Sequence, residues 1–260
     1  MTGQFAQDHG PWALVTGASS GIGTAFAEEL AARGLSLVLA ARRTERMAAL
    51  AAELATRHGT QSRVIACDLA RADAPAALAA ACADLDLGLV VSNAGFGLKG
   101  PHEGNDPAAM ADMVMVNCNA PMQLAHAFLP RLKARGRGGI LFTSSIEGMM
   151  GCPYSAAYSA TKALVIALGE ALWGEAQGSG VDVLTICPGA TESEAAAKQG
   201  IDLARLANVM PARDVAASSL DALGSGPVFF PSPVYKASFD RLLALPREQA
   251  LAAMAAGMRG

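Results

Sequence analysis

Short apolar runs alternate with longer, alanine-rich stretches over most of this chain, and that alternation restricts the possible folds more than any other feature. Trp12–Thr16, Leu35–Ala40, Arg63–Cys67, Leu87–Ser92, Gly139–Ser144, Val181–Cys187 and Val228–Pro231 read as strands rich in Val, Leu and Ile. They are apolar on both faces, as parallel strands covered by helices must be. Helical stretches over 22–33, 44–58, 73–84, 107–135, 156–177 and 212–223 lie between them. Parallel neighbours need crossovers, and the crossovers cover both faces. The chain therefore predicts an α/β, doubly wound parallel sheet of about seven strands. No linker, repeat or low-complexity segment interrupts the pattern. The expectation is one domain over 1–260, with its core at 11–231 and a separate tail at 233–260, helical over 247–258.

Composition narrows the function classes. A chain of 260 residues buries on the order of 70–75% of its unfolded surface, so it needs no disulfide or metal to hold it. With 52% hydrophobic and 17% charged residues, disorder is excluded. A net charge of −3 offers nucleic acid no basic surface. The apolar run from Gly34 stops at Arg42, short of the ~18–20 residues a spanning helix needs. Met1–Gly10 lacks the basic-then-apolar pattern of an export signal. A soluble cytoplasmic protein is expected, with neither membrane nor nucleic acid as partner. Cysteines at 67, 82, 118, 152 and 187 and histidines at 9, 58, 102 and 126 are too scattered for metal-ligand spacing, so no metal is expected. The cysteines read as small core residues in a reducing compartment.

In a sheet of this kind ligands sit beyond the carboxyl ends of the strands, where the strand order reverses. The first strand runs into Thr16-Gly17-Ala18-Ser19-Ser20-Gly21-Ile22-Gly23 and then directly into a helix. Gly17 permits the tight turn, Gly21 lets a ligand approach the backbone, and Gly23 allows helix and sheet to pack closely. The helix start offers unpaired N–H groups and a positive dipole end to a pyrophosphate.

The spacing of those glycines is that of a TGxxxGxG turn, and further marks follow in order. Asp68 and Leu69 follow the third strand, Asn93-Ala94-Gly95 the fourth, and Asn117 lies in the next helix. Ser145 ends the fifth strand, Tyr158 and Lys162 are four apart in the helix after it, and Pro188-Gly189-Ala190-Thr191 follow the sixth. Over about residues 11–231 the chain resembles the short-chain dehydrogenase/reductase family in its compact branch, which implies a Rossmann-like fold. Ser92 stands where the family has a first Asn, and Ser193 where it commonly has a threonine. Either Thr191 or Ser193 holds the nicotinamide carboxamide on this resemblance.

The second strand ends in Ala41-Arg42-Arg43. An enzyme preferring NAD places a carboxylate near Ala41 to accept from the ribose. Here two arginines suit charge-assisted bonds to a 2′-phosphate, so NADP(H) is the expected cofactor. The plain alternative is a solvated start to the helix that holds Glu45 and Arg46. Tyr158 and Lys162 share a helix face. A phenol with pKa near 10 is a poor acid–base group at neutral pH, and a neighbouring ammonium is expected to lower it. Ser145, with Ser144 as competitor, places a hydroxyl where a developing alkoxide needs a donor.

The resemblance implies a carbonyl/secondary-alcohol oxidoreductase. Tyr158 exchanges the proton and Ser145 holds the oxygen. Lys162 holds the nicotinamide ribose, Asn117 holds a water that links Lys162 to solvent, and the adenine lies near Asp68 and Leu69. A catalytically idle NADP(H)-binding sensor or scaffold is the alternative, disfavoured by the complete set Asn117, Ser145, Tyr158 and Lys162. Expected pocket walls are Phe96, Leu98, Met149, Met150, Cys152, Pro153 and 191–210, which favour an apolar substrate. Glu147 either lines this pocket or is a solvated loop carboxylate. A homodimer or homotetramer is expected through 107–135 and 156–177, whose small or apolar outer residues are Ala120, Ala125, Ala163, Ala167, Ala171 and Trp173.

Overall fold

The computed structural model describes residues 2–194 and 203–258. Its strands are β1 Trp12–Thr16, β2 Ser36–Ala41, β3 Ser62–Ala66, β4 Leu87–Ser92, β5 Gly138–Thr143, β6 Val181–Ile186 and β7 Val228–Phe229. They form one parallel sheet in the order β3-β2-β1-β4-β5-β6-β7. Strand order reverses at β1, where Val15 lies opposite Leu39 on one side and Val91 on the other. That is the switch point where ligands collect.

Alternation within each strand feeds two cores. Val15, Leu39 and Leu89 face Phe26, Leu30, Met47, Leu54, Val215 and Leu220. These come from α2 Gly21–Ala32, α3 Thr44–His58 and α8 Ala212–Asp221. Leu14, Val38 and Val90 face the other way, onto Leu78, Leu124, Phe128 and Val165. Those belong to α4 Ala74–Ala81, α6 Ala120–Arg135 and α7 Ala156–Ala176. Both faces are covered, as continuous apolar strands require.

The outer strands depart from the expected pattern. β3 is half-exposed along its length, because as an edge strand it has only one neighbour, and β7 is two residues long. The stretch 107–135 is not one regular helix: α5 Pro107–Val114 runs through a π turn at Met115–Asn119 into α6. Pro121 lies just after that turn and has no N–H to give the Asn117 carbonyl, the bond an α-helix would make there. Among the described residues two further helices, α1 Thr2–His9 and one over Pro233–Leu243, lie outside the expected set. Helix α1 Thr2–His9 docks beneath the sheet, with His9 Nε2 2.9 Å from Asp182 Oδ2.

The tail forms two helices, α9 Pro233–Leu243 and α10 Arg247–Met258, and it is not separate from the core. Tyr235 packs so closely on Gly189 that a Cβ there would lie 2.4 Å from its ring. Of the expected outer-face residues, Ala120 and Ala125 are buried in the protomer's own core and Trp173 packs against it. Ala163, Ala167 and Ala171 are exposed. No helix among the described residues is long and apolar enough to cross a membrane.

Candidate active site

The carboxyl ends of β1 and β4 are tied together by Thr16 and Asn93. The Thr16 hydroxyl accepts from the backbone N–H groups of Asn93 and Ala94, both at 3.0 Å. Asn93 Nδ2 donates to Thr16 O at 3.1 Å, and Thr143 Oγ1 donates to Asn93 Oδ1 at 3.2 Å. Asn93 thus uses its side chain to join three strand ends. Gly17, at φ +68°, lies beneath Ala94, and a Cβ on it would come within 2.9 Å of the Ala94 Cα. A Cβ on Gly23 would lie 2.2 Å from Gly17 O, so only glycine lets α2 start so close to the strand. Ser20 caps α2 without a side-chain capping bond, which leaves first-turn amides facing the space beyond the strand ends.

Across this space stand the residues from β5 and α7. Lys162 is buried, and its Nζ donates to Thr143 O at 2.9 Å. Asn117 Nδ2 donates to Phe96 O at 2.8 Å and Thr161 Oγ1 at 3.0 Å, while its Oδ1 accepts from Phe96 N at 3.1 Å. Gly95 keeps this corner open, since a Cβ there would lie 3.1 Å from Asn117 Oδ1 and 3.2 Å from Lys162 Nζ. The two serines divide the strand end between them. Ser144 Oγ donates to Lys162 O at 2.7 Å, while the Ser145 hydroxyl accepts from Glu147 N at 3.2 Å and stands beside the Tyr158 phenol, whose pKa it pulls down. Lys162 Nζ is 5.6 Å from the Tyr158 ring centroid.

The expected lowering of the phenol pKa is not what the protein alone produces. Burial pushes Tyr158 upward, and the Glu147 carboxylate adds to that, against a smaller downward pull from Ser145. Burial also brings Lys162 down to about 8. The ammonium is directed at the Thr143 carbonyl, and both groups pay for their removal from water. The result is a tyrosine that holds its proton firmly.

Glu147 is not a solvated loop carboxylate: its side chain is 22% exposed and paired. Lys99 Nζ donates to both of its oxygens, at 2.6 and 2.8 Å, and to Ser155 Oγ at 3.0 Å. The same ammonium stands 5.6 Å from the Tyr158 ring centroid. Sequence reasoning missed Lys99, which no motif marks. Thr143 and Thr161 were equally hidden, because their roles depend on contacts across the sheet.

At the far end of the site Arg42 is exposed, whereas Arg43 reaches back to the glycine turn. Its Nε donates to Ser19 Oγ at 3.3 Å and its Nη2 to Ser19 O at 3.2 Å. Asp68 accepts from Ala70 N at 3.2 Å, and Leu69 is buried with Ala74 and Ala120. Thr191 Oγ1 donates to Gly189 O at 3.1 Å, while Ser193 lies against Gly21. Residues 195–202 of the expected wall 191–210 lie outside the described residues.

Met149, Met150, Cys152 and Pro153 share a cavity whose walls do not include Phe96 and Leu98. It has a volume of about 430 Å³ and is lined also by Ala160, Ala163, Arg247 and Leu251. At 100° per residue those alanines lie on a different side of α7 from Tyr158 and Lys162. α10 covers this cavity, which sequence periodicity gave no means of anticipating.

Comparisons with known proteins agree with this fold. The chain is 34% identical over 187 residues to 7beta-hydroxysteroid dehydrogenase of Clostridium sardiniense, spanning 72% of each chain. It is 34% identical over 183 residues to very-long-chain 3-oxoacyl-CoA reductase-A of Danio rerio, covering 69% of this chain but only 57% of that relative's length. Among solved structures, one described as structural and biochemical insights into 7beta-hydroxysteroid dehydrogenase stereoselectivity superposes with a TM-score of 0.89 at 25% identity. The match covers 96% of this chain and 98% of that one. A short-chain dehydrogenase from Sphingobium yanoikuyae in complex with NADPH gives 0.83 at 32% identity, covering 94% and 95%. The profile described as short chain dehydrogenase matches residues 11–203. With the family profile covering most of the sheet and relatives of about a third identity, the chain belongs to the short-chain dehydrogenase family.

Proposed function

We propose that the protein is an NADP(H)-dependent oxidoreductase that interconverts a carbonyl and a secondary alcohol on an apolar substrate. The observation that carries this reading is the meeting of Tyr158, Ser145 and Lys162 beyond β5, opposite the glycine turn after β1. The residues present fit a dinucleotide. Gly17, Gly21 and Gly23 keep side chains off the turn, the first-turn amides of α2 are open, and Arg43 is tied to Ser19. In this reading Gly17 to Gly23, Arg42, Arg43, Asp68 and Leu69 hold the adenosine and phosphate portion. Asn93 to Gly95, Tyr158, Lys162 and Pro188 to Thr191 hold the nicotinamide portion. When bound, the cofactor supplies the hydride.

The chain's own residues then manage one proton and one oxygen. Tyr158 Oη gives its proton to the substrate oxygen during reduction, and Ser145 Oγ donates a hydrogen bond to the same atom. Lys162 Nζ positions the ribose and passes a proton toward Tyr158. The Asn117 carbonyl, denied an amide by Pro121, holds the water that resupplies it. Relatives named for a hydroxysteroid and for very-long-chain acyl groups both suggest a large apolar carbon frame, in keeping with Phe96 and Leu98 near the site.

NADPH is expected to bind at least about tenfold more tightly than NADH, since a charged hydrogen bond contributes ~1.5–3 kcal/mol. Replacing Arg42 and Arg43 together by alanine removes most of that preference. Fluorescence titration with both cofactors checks this, and equal affinities in the unmodified protein would reject NADP(H) selectivity. Consumption of NADPH with steroid ketones and long-chain 3-oxoacyl thioesters tests the reaction class.

A pH effect follows from Glu147. Its charge raises the Tyr158 pKa, so Glu147→Gln lowers it. Reduction needs the protonated phenol, so the alkaline limb of kcat moves to lower pH, by about 0.5–1 pH unit. An unmoved limb would show that Tyr158 does not feel this carboxylate during turnover.

A further inference from the structure

The adenosine end of the site contains a charge network that the cofactor reading leaves unused. Glu194 lies three residues beyond Thr191, and its carboxylate bridges two guanidiniums. Arg43 Nη1 donates to Oε2 at 2.8 Å, and Arg46 Nη1 donates to Oε1. Arg43 is held at the same time by Ser19 of the glycine turn. The neighbouring Ser193 lies over that turn, where a Cβ on Gly21 would come within 3.1 Å of the Ser193 Cβ. The two arginines hold the Glu194 carboxyl at about 2, well below the usual carboxylate range.

We propose that Glu194 is an internal stand-in for the ribose 2′-phosphate: NADP(H) must displace its carboxylate from Arg43 and Arg46 and then takes both guanidiniums itself. The inference rests on the NADP(H) reading above. Carboxylate and phosphate present the same kind of acceptor oxygens to a guanidinium fork, so one arrangement of donors accepts either. They cannot share it, because two anions between the same cations repel each other at hydrogen-bond range. Arg46, one turn of α3 beyond Arg43's end of the strand, thereby becomes a second phosphate ligand. It is the residue that a reading of the strand end alone assigns to an ordinary helix start.

The displaced pairs are weak. The side chains of Arg43, Arg46 and Glu194 are 34%, 54% and 39% exposed. Ion pairs of this exposure change an equilibrium only about 1.4- to 5-fold each. Glu194 therefore reduces NADPH affinity modestly without abolishing it. NADH carries no 2′-phosphate, leaves the bridge intact and gains nothing from its removal. Glu194 sets the size of the cofactor preference, and it does so by limiting the favoured cofactor.

The test is equilibrium titration of the full-length protein with NADPH and with NADH, in the unmodified chain, Glu194→Gln, Arg46→Ala and the Glu194→Gln/Arg46→Ala pair. Glu194→Gln is expected to tighten NADPH about three- to tenfold, two exposed pairs having been removed. NADH affinity stays within about twofold. Adding Arg46→Ala to Glu194→Gln weakens NADPH again, by about three- to tenfold, because no carboxylate then masks the loss of the ligand. Unchanged or weakened NADPH binding in Glu194→Gln overturns the proposal. So does an equal gain for NADH, which would mean that Glu194 acts on the whole turn. Equal NADPH and NADH affinities in the unmodified chain would instead reject the NADP(H) reading. A clear NADPH preference with a silent Glu194→Gln rejects the stand-in alone.

Discussion

Tyr158→Phe is expected to lower turnover by about 10²–10⁴-fold, the contribution of a positioned acid–base group, with NADPH affinity nearly unchanged. The substitution removes one oxygen from a half-buried ring. That ring stays between Lys162 and Lys99, each with Nζ 5.6 Å from its centroid, so the local packing survives. What disappears is the hydroxyl that Ser145 contacts and that burial keeps protonated. The measurement is kcat on any carbonyl the unmodified enzyme reduces, alongside cofactor titration and a thermal melt. Turnover within a few-fold of normal, from a variant that folds and binds NADPH, would assign the proton to another group.

Gly169→Ala is expected to destabilise the protein by about 2–3 kcal/mol, as overpacking a close-packed core does. In a chain of this size that corresponds to a Tm lower by roughly 4–12 °C. Gly169 is where α7 crosses β6, and a Cβ there would lie 1.8 Å from Thr185 Oγ1 and 3.5 Å from the Phe142 ring. Thr185 is fully buried, and even with its hydroxyl turned aside its own Cβ would lie 3.1 Å from the added methyl, a tight contact. Relieving the crowding strains the helix that carries Tyr158 and Lys162, so activity falls with stability. Thr185→Ala in the same chain removes the obstructing atoms and is expected to restore much of the Tm. Calorimetry on the single and double variants decides it. An additive double variant would show that the helix–strand contact is not the cause.

The parallel sheet and the Gly17–Gly23 turn were legible because each has a local signature: apolar runs separated by crossover lengths, and a glycine spacing. Tyr158 and Lys162 were legible for the same reason, being one turn apart on a single helix. The partners that determine how these groups behave were not. Lys99, Thr143 and Glu194 come from the loop after β4, the end of β5 and the segment after β6, and nothing near them in the chain marks them. Spacing shows the nearby ammonium but neither the burial nor the Glu147 charge, both of which raise the Tyr158 pKa in the protein alone. Helix α1 and the return of α9 onto Gly189 escaped notice because short terminal helices take their stability from docking, and their own periodicity is weak.

The strand order also has a consequence for synthesis. β1 is hydrogen-bonded to both β2 and β4, so a nascent chain that has completed its third strand still presents β1 as an open edge. When Leu87–Ser92 emerges it fills that edge and exposes another, equally apolar and without a single charge. The same holds for β5 when it pairs with β4. Every stage of elongation therefore displays a central strand as a temporary edge, the kind of surface that templates aggregation. The finished sheet ends instead in β3, which carries Arg63, and in the two-residue β7. The hazard is confined to biosynthesis and refolding, and that is where overexpression of this chain will most depend on chaperones or low temperature.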